Sequence, residues 1–418
     1  MKSSELKMIG VTGTSGKTTV TYLLESIFMA AGFSTGVIGT IEYRVGTKRK
    51  PATLTTPDSK ALPPLLGWVA DEGATHCVME VSSHALVQGR VAAVQFDGAI
   101  FTNLTPEHLD YHADMESYFQ AKSTLFTKLL NASTKPNRFA VVNTDDPFGK
   151  RLCTKISVPL ISYGEQHANV FAEKVDACRD GLVMSVKTPR GKLELHSPLI
   201  ARLNVPNILA AVATAQAMDL STDAIVRGIA NMKGVKGRFE LVSNAKGVIA
   251  IVDYAHKPDA LRKVLEEARA LAMNRPLRDS PEEVATATAA GGRADRPVHG
   301  RVLVIFGCGG DRDRQKRPVM GETAAELADV VVVTSDNPRS ESAEAIIAEI
   351  LPGVKKKTSS VQVIPDRREA IRWAVNESRP GDVLVVAGKG HEDYQIIGNQ
   401  RNHFDDREEL EHAFVQRR

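Results

Sequence analysis

Cysteine is scarce in this chain. Four occur in 418 residues, at Cys77, Cys153, Cys178 and Cys308. They lie far apart, with neither metal-site spacing nor the density of a disulfide framework. That excludes a disulfide-stapled scaffold and fits a reducing compartment, so a cytoplasmic location is expected. Long apolar runs are missing as well. There is no stretch of about 18 apolar residues to span a membrane, and the N-terminus lacks an apolar signal core. Charge of one sign is not in excess. The formal net charge is +3, too small to argue for nucleic acid as a partner. No internal repeat is evident. The composition, 43% hydrophobic and 25% charged, is that of an ordinary globular chain, and the length admits two or three domains.

What the chain does have begins at its front. Residues 8–12 are apolar and β-prone and read as a buried strand. Gly13-Thr14-Ser15-Gly16-Lys17-Thr18-Thr19 follows. Gly13 and Gly16 permit a tight turn whose backbone N–H groups point at phosphate oxygens. Lys17 adds positive charge for the outer phosphates, and Thr18 offers its hydroxyl to Mg²⁺. Residues 17–31 read as a helix whose positive end faces the anion. Two residues separate these glycines, where the standard phosphate loop has four. An ordinary glycine turn would not require strand, glycines, Lys-Thr and helix in that order.

The first half alternates short apolar runs with helical patterns. Residues 37–39, 76–79, 98–102 and 139–143 read as buried parallel strands of an α/β sheet. Residues 169–199 then alternate apolar and polar around Arg179-Asp-Gly181 and Pro189-Arg-Gly191, the pattern of an antiparallel meander. Helices are expected over 206–218 and 222–232, and Gly234-Val-Lys-Gly-Arg-Phe-Glu240 reads as a hinge. A second α/β series follows, with strands at 248–253, 302–306, 330–334, 361–364 and 383–387. Residues 279–299, rich in Ala, Gly, Pro and charge, read as a mobile insertion.

Polar residues gather just beyond strand ends, where open α/β sheets build their sites. Glu80-Val-Ser-Ser-His84 follows one strand, and Asn103-Leu-Thr-Pro-Glu-His-Leu-Asp-Tyr-His112 follows the next. Asp253-Tyr-Ala-His256 follows the first strand of the second half. Glu80, at a strand end beside a phosphate loop, is a candidate Mg²⁺ ligand. Taken alone it reads equally well as a capping or solvated carboxylate.

Ten segments in order resemble the Mur ligase family. They are Gly13-Thr-Ser-Gly-Lys-Thr18, Thr55-Thr56-Pro57, Glu80-Val-Ser-Ser-His-Ala-Leu-Val-Gln-Gly-Arg90, His108-Leu-Asp-Tyr-His112 and Tyr118-Phe-Gln-Ala-Lys122. Then come Gly237-Arg-Phe-Glu240, Asp253-Tyr-Ala-His-Lys-Pro258, Gly307-Cys-Gly-Gly-Asp-Arg312, Asp336-Asn-Pro-Arg339 and Gly388-Lys-Gly-His-Glu392. The resemblance runs from about residue 7 to the C-terminus. It implies a P-loop-type central ATPase domain over 1–236, with a mostly parallel sheet plus a small antiparallel sheet. A Rossmann-like α/β C-terminal domain over 237–418 would bind an amino acid.

The implied activity is ATP-dependent amide formation. A substrate carboxylate attacks the γ-phosphate to give an acyl phosphate and ADP, and the amine of meso-diaminopimelate then displaces phosphate. The acceptor is the D-glutamate carboxylate of a peptidoglycan stem-peptide precursor, a muramoyl dipeptide or similar acyl peptide. ATP contacts fall to Gly13, Thr14, Ser15, Gly16, Lys17, Thr18 and Thr19, with Asn207, Arg238, Asp253 and His256. Catalysis falls to Lys17, Glu80, His108 and Lys122. Thr18 and Glu80 would hold a first Mg²⁺, and His108 would help hold a second. Lys122 would be carbamylated and support that second ion; a plain surface lysine is the alternative. The stem peptide falls to Thr55, Thr56, Ser82, Gln88 and Arg90, whose hydroxyls, amide and guanidinium suit an anionic ligand. The amino acid falls to Arg312, Asp336, Asn337, Pro338, Arg339, Gly388 and Glu392. Arg339 can grip a second carboxylate with two parallel bonds, which favours diaminopimelate over lysine. Domain closure would complete the ATP site and exclude water from the acyl phosphate.

The family's N-terminal uridine-nucleotide domain has no counterpart before residue 7. A trimmed chain, a natural short form taking a substrate without the uridine diphosphate, and a partner chain supplying that domain all remain open. The expected state is otherwise a monomer with small-molecule substrates and neither nucleic acid nor membrane as partner. A folylpolyglutamate-type or polyamide-type ligase and a non-catalytic nucleotide-binding paralogue are the alternative readings.

Overall fold

The computed structural model describes residues 3–109, 111–164, 167–178, 181–273, 300–356 and 360–415. The insertion expected at 279–299 lies outside the described residues. The chain divides into two compact units, Met1–Lys233 and Gly234–Arg418.

The first unit is built on an eleven-stranded sheet. Its strands are β1 (Lys7–Thr12), β2 (Thr35–Ile38), β3 (Glu42–Val45), β4 (Lys48–Pro51), β5 (His76–Glu80), β6 (Gly98–Phe101), β7 (Phe139–Asn143), β8 (Leu160–Gly164), β9 (Val170–Cys178), β10 (Gly181–Thr188) and β11 (Gly191–Ser197). The spatial order is β11-β10-β9-β8-β7-β6-β1-β5-β2-β3-β4. The segment from β2 through β9 is parallel, and its central strands are buried on both faces, as covered parallel sheets require. The chain lays β5 on one side of β1 and β6 on the other. Their carboxyl ends therefore flank the crevice where such sheets bind ligands.

Both edges differ from the simple series the sequence predicts. The meander of β9, β10 and β11 extends the parallel sheet, because β8 pairs in parallel with β9. At the other edge β3 and β4 form a hairpin with no period-2 apolar signal. All four side chains of β4, Lys48-Arg-Lys-Pro51, are exposed.

Two helices place the site. Lys17–Ala30 starts at Gly16, which sits in a left-handed conformation with φ 85°. Met115–Thr124 is capped by Asp114, whose carboxylate accepts from the backbone N–H of Ser117 at 2.7 Å. Beyond it the chain changes helical type: residues Leu125–Leu130 are π-helical. Asp146 caps a third helix, Pro147–Cys153, and its other oxygen accepts from Leu104 N at 2.7 Å. That bond holds the loop leaving β6.

The second unit has a six-stranded sheet ordered β12-β13-β17-β14-β15-β16. These are β12 (Glu240–Val242), β13 (Ile249–Asp253), β14 (Val302–Phe306), β15 (Val330–Val333), β16 (Ser360–Val363) and β17 (Val383–Ala387). All pairs are parallel except β12 with β13. A small hairpin, β18 (Tyr394–Ile397) with β19 (Gln400–His403), follows. Beneath the sheet's site end lies a wholly buried ion pair: Arg367 grips Asp406 through Nε and Nη2, each at 2.7 Å. The same guanidinium donates to Ser335 O and Ala387 O. It thereby ties the ends of β15 and β17 together.

Candidate active site

The first unit gathers its site around the loop after β1. A Cβ at Gly13 would collide with the Thr102 hydroxyl, and one at Gly16 with the Asn207 side chain. Glycine is therefore required where β6 and the helix Val205–Ala217 close on the loop. Thr14 N donates to Asn103 O and Ser15 N to Asn103 Oδ1, both at 2.9 Å. Lys17 folds back, with Nζ donating to Gly13 O at 2.8 Å and Thr14 O at 2.9 Å.

Glu80, opposite Val11 in the β1–β5 register, is buried and clasped. Its Oε1 accepts from Thr18 Oγ1 at 3.0 Å and Thr40 N at 2.9 Å, and its Oε2 accepts from Thr40 Oγ1 at 3.0 Å. Its backbone carbonyl takes the Thr56 hydroxyl at 2.8 Å. Ser82 N donates to Thr56 Oγ1, and Arg90 donates through Nη1 to Thr56 O and through Nε to Gln88 Oε1. Thr55 joins through its hydroxyl, 3.1 Å from that of Thr40. All five residues expected to bind the stem peptide therefore lie in one hydrogen-bonded group that ends on Glu80.

Lys122 is not a surface lysine. It is 1% exposed and its Nζ donates to Gly13 O at 2.8 Å. Burial, reinforced by the nearby Lys17 charge, pushes its pKa well below the ordinary lysine range. Its ammonium lies 4.6 Å from the Tyr118 ring centre. His108, held at φ 56°, packs edge-on to the same ring at 6.2 Å and to His84 at 4.8 Å. Its Nε2 is 3.7 Å from Glu107.

Thr18 and Glu80 offer hydroxyl and carboxylate oxygens, the donors Mg²⁺ prefers. Among the described residues no three His, Cys, Asp or Glu side chains cluster as a metal cage.

In the second unit the expected residues, apart from Arg238 just before β12, follow the carboxyl ends of four neighbouring strands. After β13, Asp253 accepts from Phe239 N at 2.7 Å and Ala255 N at 2.8 Å, and burial raises its pKa. Arg238 lies over the Tyr254 ring at 4.7 Å. Tyr254 also packs against His256 and His391, with ring centres 4.6 and 4.9 Å away. Arg238 Nε and His391 Nδ1 are buried with no hydrogen-bond partner among the described residues.

Asn337, after β15, is a hub. Its Nδ2 donates to Glu392 at 2.9 Å, and its Oδ1 accepts from Ile396 N at 2.9 Å and Lys389 Nζ at 3.2 Å. Arg339 has φ 53°. It is held by its backbone, with N donating to Ile396 O and its O accepting from Gly398 N. Its Nη1 donates to Gly310 O at 2.7 Å. Arg312 and Arg339 flank Gly309, while Pro338 fixes the turn and accepts from Glu341 N. Gly388, at φ 118°, lies against Asp336. Burial, then the Asp336 charge, raises the Glu392 pKa.

Sequence reasoning missed Thr40, Tyr118 and Lys389 as site residues. Thr40 follows the carboxyl end of β2, the placement that singled out Glu80. Tyr118 and Lys389 stand inside segments already quoted.

His256 carries a pH prediction. Its Nδ1 donates to Tyr254 O at 2.8 Å, and burial, with the Lys316 charge, lowers its pKa from 6.5 to about 4. The unfolded chain thus takes up a proton where the folded chain refuses it. The resulting stability is complete above pH about 6.5 and is lost as pH falls toward 4, amounting to about 3 kcal/mol. Urea unfolding at pH 7, 5 and 4 should show this decline, and His256→Gln should lessen it, leaving the share of His76 and His391. Equal slopes in parent and variant would contradict the assignment.

Comparison with known proteins adds the following. Residues 11–215 match the Mur ligase middle domain, and residues 237–278 and 280–390 match the Mur ligase, glutamate ligase domain. The UDP-N-acetylmuramoyl-L-alanyl-D-glutamate--2,6-diaminopimelate ligase of Geobacter metallireducens is 48% identical, over 98% of this chain and 78% of that protein. The protein of the same name from Geobacillus thermodenitrificans is 41% identical, over 99% of this chain and 80% of its own. A solved structure of a ligase so named has a TM-score of 0.67 at 32% identity, covering 99% of this chain and 79% of that one. Escherichia coli FolC in complex with DHPP and ADP has a TM-score of 0.70 at 20% identity, covering 99% and 90%; it bears on the fold alone. No described helix is long and apolar enough to cross a membrane.

Proposed function

Starting from the fact that the chain belongs to the Mur ligase family, we propose how its residues divide the work of the diaminopimelate-adding reaction. The chain is an ATP-dependent amide-forming ligase that adds diaminopimelate in peptidoglycan precursor synthesis. The observation that carries the division of labour is the double role of Glu80. Its carboxylate meets Thr18 on the phosphate-loop side, and its carbonyl meets Thr56 on the peptide side.

The first step brings a carboxylate against a polyanion, so positive charge must stand between them. Lys17, now parked on Gly13 O and Thr14 O, moves to the outer phosphates when ATP arrives. Thr18 and Glu80 would hold Mg²⁺, which would supply positive charge to offset that of the phosphates. His108 would help hold a second ion. Arg90, Ser82, Gln88, Thr55 and Thr56 orient the stem peptide so that its free carboxylate reaches the γ-phosphate. Asn207 braces Gly16. In the second unit Arg238, Asp253 and His256 are nucleotide contacts, a reading supported by the unpartnered Arg238 Nε.

The amino acid occupies the group around Asn337. Arg339 takes the distal carboxylate and Glu392 the distal ammonium, while Arg312 guards the approach from the β14 loop. The reactive amine then attacks the acyl carbon, and phosphate leaves. An ADP-release assay tests the whole scheme. Release is expected only when acyl peptide and diaminopimelate are both present, and turnover unchanged on omitting diaminopimelate would sink it. Comparing uridylated muramoyl dipeptide with the same dipeptide lacking the nucleotide identifies the acceptor.

A further inference from the structure

Lys389 is 0% exposed, an uncommon state for a lysine. Its Nζ lies 3.4 Å from Asp336 Oδ1, 3.2 Å from Asn337 Oδ1 and 3.7 Å from Glu392 Oε2. One buried ammonium thus faces two carboxylates. A pairing built for stability alone would match charges one to one, and apolar packing would serve the fold as well or better. The excess negative charge lies on the Asp336–Glu392 side. Arg339 makes no ion pair among the described residues, and its Nη1 is held by backbone carbonyls. The two uncancelled charges are of opposite sign, and Asn337 stands between them. Lys389 cancels one of the two acidic charges, which leaves Asp336, Glu392, Lys389 and Arg339 neutral as a set.

We infer that Lys389 is a positioning residue that sets amino-acid specificity: it holds Asp336, Asn337 and Glu392 and tunes their charge to a zwitterionic terminus, one ammonium with one carboxylate. Without it the group is net negative and suits a terminus bearing an ammonium alone. The inference rests on the amino-acid reading of this pocket given above. It adds that discrimination between diaminopimelate and lysine depends on a group expected to touch neither.

The test is calorimetric titration of diaminopimelate, and separately of lysine, into the full chain with a non-hydrolysable ATP analogue. Lys389→Met removes the charge. Lys389→Gln removes it while keeping a hydrogen bond to Asn337, and Lys389→Arg retains it. The preference for diaminopimelate over lysine, read as the ratio of Kd values, should fall by about tenfold or more in the Met and Gln variants. It should survive in the Arg variant. A purely structural role would weaken both amino acids equally, so an unchanged ratio overturns the inference. Failure of both neutral variants to fold, with Arg folding normally, also overturns it. A parent that binds diaminopimelate selectively yet releases no ADP refutes the ligase scheme while leaving Lys389 to be judged by the ratio. A parent that prefers lysine refutes both.

Discussion

Lys122→Ala should lower kcat by roughly 10²–10³-fold, the loss typical of removing one fixed charge-stabilising group. A short carboxylate such as acetate should restore part of it. The reasoning starts from burial. An amine whose pKa is pushed well down by desolvation and by Lys17 gives up its proton more readily than an ordinary lysine. Once the ammonium has lost its proton, the amine lone pair can attack CO₂: a nitrogen–carbon bond forms, a second proton is released, and an anionic oxygen ligand stands where the positive charge was. The competing role is mechanical, since Nζ also pins Gly13 O at 2.8 Å. The two roles part under substitution. If Lys122 only pins the loop, Lys122→Arg keeps activity and carboxylates do nothing. If it is carbamylated, Arg fails and carboxylates help. Steady-state ADP release with and without added acetate decides between them.

Arg339→Ala should reduce kcat/KM for diaminopimelate by about 10- to 100-fold, the range for losing a charge-assisted pair. ATP affinity should hold. The backbone makes this substitution clean. At φ 53° an alanine is strained no more than an arginine, and the bonds to Ile396 O and Gly398 N use main-chain atoms. The loop therefore keeps its path, and the missing guanidinium is the variable. Equal losses in ATP affinity and diaminopimelate use, read by titration and by initial rates, would contradict the assignment.

Much of this was legible in the sequence because the site hangs on strand ends. The runs at 76–79, 98–102, 302–306 and 383–387 are apolar and lie within one residue of the observed strands, and the polar residues after them point to chemistry. The rest was hidden for identifiable reasons. β3 and β4 are short, and β4 is wholly charged or proline, so no periodic pattern marks them. The π-helical turn at Leu125–Leu130 keeps the composition of an ordinary helix. Lys389 and Arg367 carry residue types that read as surface, and only tertiary partners, Asp336 and Asp406 among them, make their burial tolerable. Lys122 stands out in the sequence only through the family resemblance; its burial and its bond to Gly13 O are set by tertiary contacts.

The exposed strand β4 has a bearing on how the molecule behaves in a crowded solution. An eleven-stranded sheet ends in a row of unpaired backbone groups, and such a row is a template onto which another chain can add. Here that row carries three cations in sequence and then Pro51, which has no N–H to donate. Lys48 and Arg49 are paired with Glu72 and Glu42, so it is Pro51 that interrupts the ladder for a second copy approaching edge to edge. With every side chain exposed and a proline at its end, Lys48-Arg-Lys-Pro51 makes a poor template for a further strand.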